Sequence, residues 1–147
     1  MDDSERPLAE RGHVEAAQIA AFMAAQRMVP DVILCSTARR ARETLDGLQA
    51  GGVEGRVYYE DALYLASAGQ LLARLSEFGD EVRHCLVIGH NPGLHQLAGQ
   101  LSMEGETTAV RELIMQFPPC SLASVQCEGE VSLGGVLQHF VTPKILG

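Results

Sequence analysis

The sequence of 147 residues has the length of one domain built around a single hydrophobic core. Its composition, 46% hydrophobic and 20% charged, is typical of a globular protein and excludes a disordered or fibrous chain. The net charge of -8 argues against general binding to nucleic acids or anionic membranes, which depends on surplus Lys and Arg. We therefore expect no nucleic-acid partner and no membrane partner. A small basic pocket for one phosphate group is still compatible with an acidic surface.

Neither the start of the chain nor its cysteines indicate an oxidising or membrane environment. No apolar run has the length of a membrane span, and Met1-Asp2-Asp3 lacks the basic segment that opens a signal peptide. A cytoplasmic location is therefore expected. The four cysteines show neither a CxxC pair nor a spacing with His that suits zinc. Buried reduced thiols are the main expectation and a disulfide is the alternative.

The first half of the chain alternates helical periodicity with short apolar runs. The predicted elements, in chain order, are helix 9–28, strand 32–35, helix 38–50, strand 57–59 and helix 68–78. Ser67 is placed to cap the last of these helices, and Gly51-Gly52 to end the second. For the first helix we expect an inward face of Val14, Ala17, Ile19, Ala21, Phe22 and Ala25.

The second half continues the alternation. A run at 85–88 is typical of a fully buried strand, a helix is predicted over 93–102, and strands are predicted at 122–126 and 136–141. The stretch 109–117 is compatible with either helix or strand. Strands that alternate with helices predict a mostly parallel sheet covered on both faces, which is a three-layer α/β/α domain across 1–147.

In such folds ligands bind where strands end and helices begin, and a histidine lies at one of these turns. His90 stands in Gly89-His90-Asn91-Pro92-Gly93, between the strand at 85–88 and the next helix. Gly89 permits a close approach of a ligand, and the helix N-terminus favours an anion. The alternative is a histidine that only satisfies nearby backbone groups.

Three arginines lie at the other turn, in the run Ser36–Thr44. Arg39, Arg40 and Arg42 open a helix whose N-terminus is unfavourable for cations, which suggests an anionic partner. A phosphate suits the planar, bidentate guanidinium. The alternative is a solvated basic face in which Arg39 pairs with Glu43 at i,i+4.

Together these segments resemble a known family. Ser36-x-x-x-Arg40-Ala41-x-x-Thr44 resembles a segment of the histidine phosphatase superfamily, which includes the phosphoglycerate mutases. The turn around His90 resembles the second-histidine motif of its small SixA-like branch. Further runs typical of that branch are Arg6-Pro7-Leu8 with Arg11-Gly12, Leu63-Tyr64-x-Ala66-Ser67 and Phe140-Val141-Thr142-Pro143. The resemblance covers nearly the whole chain.

The resemblance implies phosphoryl transfer in two steps through a phosphohistidine intermediate on the enzyme. Arg40 and His90 would be catalytic, and Arg40, His90 and Asn91 would bind the phosphoryl group. Glu60 is a possible general acid, with a solvated loop residue as the alternative. The implied substrate is phosphohistidine on a protein or a small phosphomonoester, with neither a cofactor nor a metal.

One family feature is absent from the sequence. The nucleophilic histidine belongs to an Arg-His pair that ends a strand before the Arg-Pro-Leu run, and no Arg-His pair precedes Arg6 in the sequence. The pair Arg83-His84 comes long after that run and stands before a predicted strand, at 85–88, not at the end of one. We therefore expect an N-terminally incomplete domain that lacks this first strand. His13 is not expected to substitute, and His84, His95 and His139 match no family position.

Two interpretations of the missing pair stay open. One is a phosphatase whose nucleophile lies outside this sequence, and the other is a non-catalytic pseudophosphatase that binds phosphate or a phosphoprotein. A nucleotide-binding α/β domain is disfavoured, because no GxGxxG and no GxxxxGK[ST] follows a predicted strand.

Overall fold

The computed structural model describes residues 1–146. The helices are α1 (Glu10–Ala25), α2 (Arg39–Ala50), α3 (Ala68–Ser76), α4 (Gly93–Leu101), α5 (Thr107–Met115) and α6 (Pro143–Leu146). The strands are β1 (Val32–Ser36), β2 (Arg56–Glu60), β3 (Cys85–Ile88), β4 (Ser102–Gly105), β5 (Leu122–Gln126) and β6 (Gly135–Val141). The ambiguous stretch at 109–117 is therefore helical as far as Met115, in α5. No helix in this part of the chain is long and apolar enough to cross a bilayer.

The strands are mostly parallel, as predicted, and form two sheets of three strands. In the first sheet β1 lies between β2 and β3 and is parallel to both. In the second sheet β6 lies between β4 and β5, parallel to β4 and antiparallel to β5. The antiparallel pair arises because a short connection joins β5 directly to β6.

Helices cover both faces of the first sheet, which confirms the predicted three layers. Ile33 and Cys35 of β1 pack in one hydrophobic cluster with residues of α1 and α2. Val32 and Leu34, which point the opposite way, pack in a second cluster with residues of α3 and α4. All five residues of β1 are buried, because this strand has a neighbour on each edge and helices on each face.

The four cysteines are free, as expected, and no disulfide forms among them. Cys35 is buried in β1, and the loss of hydration raises the pKa of its thiol to about 12. The other three are only half-buried. Cys35 therefore packs as a small apolar side chain and not as a reactive thiolate.

The predicted inward face of α1 is largely wrong. Only Ile19 of the predicted set is buried, and Val14 is 61% exposed. The buried residues of α1 are Gly12, Ala16, Ile19, Ala20 and Met23. Small residues set this face: Gly47 and Gly51 of the α2 side lie so close that an added Cβ would meet Ala16 at 3.0 Å and Ala20 at 2.5 Å. Alanines occur all round α1, so apolar periodicity alone cannot select the face that permits close packing.

The strand β3 is less buried than its sequence predicts, because it lies at an edge. Only Ile88 is buried, and the other three residues are half-buried. β3 pairs with β1 on one side, and β5 is likewise the last strand of its own sheet. A groove of about 430 Å³ lies between β3 and the residues that lead into β5. The backbone edges of two sheets thus border one groove.

The helix α4 connects the two sheets. Leu97 packs in the cluster that contains β1, while Ala98 packs with Leu113, Leu137 and Phe140 around the second sheet. Residues of α1 line the floor of the groove between the sheets, among them Ile19 and Met23. Helix packing therefore holds the sheets together where strand pairing is interrupted.

Candidate phosphate-binding site

The two predicted ligand turns meet in the structure. Ser36 ends β1 and His90 follows β3, and these strands are adjacent and parallel, so their carboxyl ends lie side by side. The His90 imidazole is buried, and its Nε2 lies 2.7 Å from Ser36 Oγ. The topology that the sequence predicts is thus what joins two residues 54 positions apart.

Arg40 completes the centre of this site. Its Nη2 lies 3.3 Å from His90 Nδ1. Because a guanidinium can only donate, Nδ1 accepts from Arg40, and the hydrogen of the neutral ring is on Nε2, which donates to Ser36 Oγ. Burial, followed by the charge of Arg40, lowers the pKa of His90, and the charge of Asp3 opposes this shift. The site therefore pairs one fixed cation with a neutral imidazole.

The start of α2 aims Arg40 inward and leaves the neighbouring arginine on the surface. Ser36 Oγ accepts from the backbone N–H of Ala38 at 3.2 Å, just before α2 begins. Thr44 Oγ1 donates to the Arg40 carbonyl at 2.9 Å, one helical turn later. Arg39 instead pairs with Glu43 at 3.5 Å, as the solvated-face alternative predicts for that residue. Of these two arginines, Arg40 is the one in the site.

Asn91 lies beside His90, but its side chain is engaged elsewhere. Its Nδ2 donates to the Phe117 carbonyl at 3.0 Å, and its Oδ1 accepts from the His95 N–H at 3.2 Å. The amide thus starts α4 and ties it to the segment before β5. Direct phosphate binding by Asn91 stays a prediction, and it would use the second N–H of the Asn91 amide.

Glu60 is not brought into the His90 cluster. Its carboxylate accepts from Arg74 of α3, with distances from 2.8 to 3.1 Å. This hydrogen bonding with Arg74 lowers the pKa of Glu60, so at neutral pH its carboxyl group is ionised and has no proton to donate. The role of general acid stays a prediction, and the contact with Arg74 gives Glu60 a structural role.

Sequence reasoning missed two side chains that contact the centre. Tyr64 places its ring edge-on to the His90 ring, with centroids 5.3 Å apart, and its hydroxyl donates to the Asp3 carboxylate. Asp3 in turn accepts from Arg40 through its carbonyl at 2.8 Å and its carboxylate at 3.2 Å. Tyr64 is part of a run that resembles the family. Asp3 stands in an acidic N-terminal segment that carries no periodic signal.

A close backbone contact fixes the loops that carry His90 and Tyr64. An added Cβ on Gly93 would lie only 1.9 Å from the Ala66 carbonyl oxygen. Only glycine permits this approach, so α4 begins directly against the segment that follows Tyr64. The glycine at the end of the His90 turn is therefore required for packing.

The remaining histidines lie outside the site. His13 and His84 are exposed, and His95 Nε2 lies 2.6 Å from the Leu113 carbonyl. His139 Nδ1 is buried and has no hydrogen-bond partner within residues 1–146. Over the same residues, no group of three or more His, Cys, Asp and Glu side chains is arranged to hold a metal ion.

Known structures share this architecture. A structure from Nakamurella multipartitia, assigned as phosphohistidine phosphatase SixA, matches with a TM-score of 0.85 at 26% identity, covering 97% of this chain and 88% of the other. A SixA assignment from Agrobacterium tumefaciens matches with a TM-score of 0.81 at 30% identity, over 97% and 87%. The protein histidine phosphatase SixA complexed with tungstate shares the fold with a TM-score of 0.81 at 24% identity. The chain belongs to the SixA-like branch of the histidine phosphatases.

Its similar relatives by sequence are bacterial and plant proteins of uncharacterized activity. One from Mycobacterium tuberculosis is 37% identical over 129 residues, which is 86% of this chain and 80% of the relative. One from Mycobacterium leprae is 31% identical over 128 residues, or 86% and 78%. A chloroplastic protein of Arabidopsis thaliana is 32% identical over 112 residues, or 69% and 51%. No family model matches the chain.

Proposed function

We propose that this domain is the catalytic domain of a phosphatase that hydrolyses phosphohistidine on a protein or a small phosphomonoester. The observation that carries the proposal is the contact of 3.3 Å between Arg40 and His90 at the carboxyl ends of β1 and β3. Phosphoryl transfer places negative charge on three equatorial oxygens, and a fixed guanidinium beside a buried imidazole suits that charge. Arg6 lines the same groove and offers a second cation.

The proposed reaction has two steps. A nucleophilic histidine takes the phosphoryl group from the substrate, and the bond to the leaving imidazole or alkoxide breaks as that group gains a proton. Water then attacks phosphorus, which releases inorganic phosphate and regenerates the histidine. Arg40 would hold phosphoryl oxygens throughout, and His90 would donate to them once the incoming charge favours its protonated form.

We further propose that the nucleophile lies on an extended strand that fills the groove between β3 and β5. The groove is bordered by edge strands on both sides, and unpaired strand edges bind added strands readily. Leu86 and Ile88 supply apolar lining, and Gly89 and His90 lie at the end of β3. A strand parallel to β3 would therefore deliver its last residues beside His90. On this proposal the domain in 1–147 is N-terminally incomplete.

Binding without turnover is the second candidate function. Its support is that residues 1–146 place Arg40 and His90 together, while the other histidines lie outside the site. A domain that holds a phosphate or a phosphoprotein needs the cation and the imidazole but no nucleophile. Both candidate functions predict phosphate binding, so only a measurement of hydrolysis distinguishes them.

Two measurements on the 147-residue chain test the proposal. Titration calorimetry with tungstate, a phosphate analogue, measures anion binding, and Arg40→Ala is expected to abolish it. A synthetic apolar strand peptide ending in Arg-His-Gly is then added, with the same peptide ending in Arg-Ala-Gly as the matched control. Hydrolysis of phosphohistidine that occurs with the Arg-His-Gly peptide and not with the Arg-Ala-Gly peptide supports the phosphatase. Tungstate binding without hydrolysis by either mixture supports the binding module, and absence of tungstate binding overturns both.

A further inference from the structure

Asp3 accepts two hydrogen bonds from the end of the Arg40 side chain. Arg40 Nη1 donates to the Asp3 carbonyl at 2.8 Å, and Nη2 donates to the Asp3 carboxylate at 3.2 Å. The same Nη2 faces His90 Nδ1 at 3.3 Å. Asp3 thus binds both terminal nitrogens of the Arg40 guanidinium, and the His90 imidazole lies against one of these two nitrogens.

Tyr64 contacts Asp3, Arg40 and His90. Its hydroxyl donates to the carboxylate of Asp3, and the Arg40 guanidinium lies 5.9 Å from the centre of its ring. Its ring edge also packs against the His90 imidazole. Hydrogen bonding from Tyr64, together with the charges of Arg40 and Arg6, holds the pKa of Asp3 below its usual range. Asp3 is therefore a carboxylate at neutral pH.

Asp3 and Tyr64 contact Arg40 but are not among the residues that line the groove. Arg40, His90 and Arg6 do line it. A carboxylate inside the groove would compete with a phosphoryl group for Arg40. A carboxylate that holds Arg40 without lining the groove restrains a long side chain that otherwise loses rotamer entropy on binding.

We propose that Asp3 is a positioning residue for phosphoryl recognition, which with Tyr64 orients Arg40 toward the bound oxygens. This inference rests on the proposed function, because it assumes that Arg40 contacts the phosphoryl group. Asp3 acts through Arg40 and touches no substrate atom. The acidic segment before Arg6 is on this view part of the site.

Simple electrostatics and the positioning role predict opposite effects for Asp3→Ala. Removing a negative charge near an anion site strengthens anion binding, whereas releasing Arg40 weakens it. We expect Asp3→Ala to weaken tungstate binding about fivefold, which is what one hydrogen bond contributes. Asp3→Asn, which keeps an acceptor oxygen, should retain most of the affinity. Asp2→Ala is the matched control, since Asp2 is exposed and carries the same charge. Unchanged or tighter binding by Asp3→Ala overturns the proposal.

A second measurement does not depend on binding. The charge of Arg40 lowers the pKa of His90 more than the charge of Asp3 raises it. If Asp3→Ala lets Arg40 move away, NMR titration will show that the pKa of His90 rises. If Arg40 stays in place, the loss of Asp3 will lower that pKa, and the proposal is wrong. A chain that binds no tungstate would fail the proposed function, yet this titration would still decide the role of Asp3.

Tyr64 gives a third arm to the experiment. Tyr64→Phe removes the hydroxyl that holds Asp3 and keeps the ring against His90, so a smaller loss of tungstate affinity is expected. The double variant with Asp3→Ala should bind no more weakly than Asp3→Ala alone, because both act on one arrangement. Losses that add would overturn the part of the proposal that concerns Tyr64. Equal thermal unfolding midpoints would show that the variants are folded.

Discussion

Ser36 Oγ is 2.7 Å from His90 Nε2, across the ends of two parallel strands. The same oxygen accepts the backbone N–H of Ala38 at 3.2 Å, where α2 is about to begin. One hydroxyl thus connects the central strand, the helix that carries Arg40 and the imidazole. Both donor residues and Ser36 itself are buried, so these hydrogen bonds are shielded from water.

Ser36→Ala should destabilise the domain. The change leaves the His90 Nε2–H and the Ala38 N–H without their acceptor, and a buried unpaired donor costs about 1–3 kcal/mol. The free energy of unfolding in urea measures this loss. Ser76→Ala is the control, because the exposed Ser76 hydroxyl bonds only the Leu72 carbonyl within its own helix. Equal stability of the two variants would contradict the assigned role of Ser36.

Arg40→Lys should weaken tungstate binding while the charge is kept. Lysine provides a point charge and cannot form a two-pronged contact, so a loss of about tenfold or more is expected. Arg39→Lys is the control, since Arg39 lies one residue away and pairs with Glu43 on the surface. Similar losses in both variants would show that general charge, and not the geometry of Arg40, determines binding.

The protonation of His90 should make stability depend on pH. Its pKa in the folded protein is below the ordinary value of 6.5, so the unfolded chain takes up this proton first as the pH falls. Stability present above pH 6.5 is therefore lost progressively below it. His90→Gln should lose less stability than the natural chain between about pH 7 and about pH 5.5. Parallel curves of unfolding free energy against pH would contradict this.

Glu60→Gln should affect stability and leave tungstate binding unchanged. The pair with Arg74 is about three-quarters buried, and Arg74 also lies over the Phe78 ring at 4.7 Å, so a loss of about 1 kcal/mol is expected. Glu77→Gln is the control, because its contact with the same arginine is longer, at 3.7 Å, and more exposed. Lower turnover with the strand peptide at unchanged stability would instead support Glu60 as the general acid.

The sequence is most informative where local pattern and topology agree. The carboxyl ends of β1 and β3 were predictable as one site, because parallel neighbouring strands end at the same edge. Ser67 was predictable as a cap, and its Oγ accepts from the Gln70 N–H at 3.1 Å. Neither prediction depends on details of packing.

Contacts between distant segments are what the sequence does not reveal. The inward face of α1 depends on how closely Ala16 and Ala20 approach α2. The pattern of apolar residues in the sequence does not reveal this distance. The half-burial of β3 depends on which strand lies beside it. Asp3 reaches Arg40 across 37 positions, and an acidic N-terminal segment is indistinguishable in sequence from a solvated one.

Because β3 and β5 do not pair with each other, the amide exchange of these two strands can show whether a segment enters the groove between them. Backbone amides at a strand edge that donate to no neighbour exchange with deuterium quickly, whereas amides in a ladder exchange only when the structure opens. A segment that pairs with either edge would slow exchange at those positions and leave β1 unchanged. Mass spectrometry of the deuterated peptides would therefore follow strand uptake even for a partner that carries no histidine.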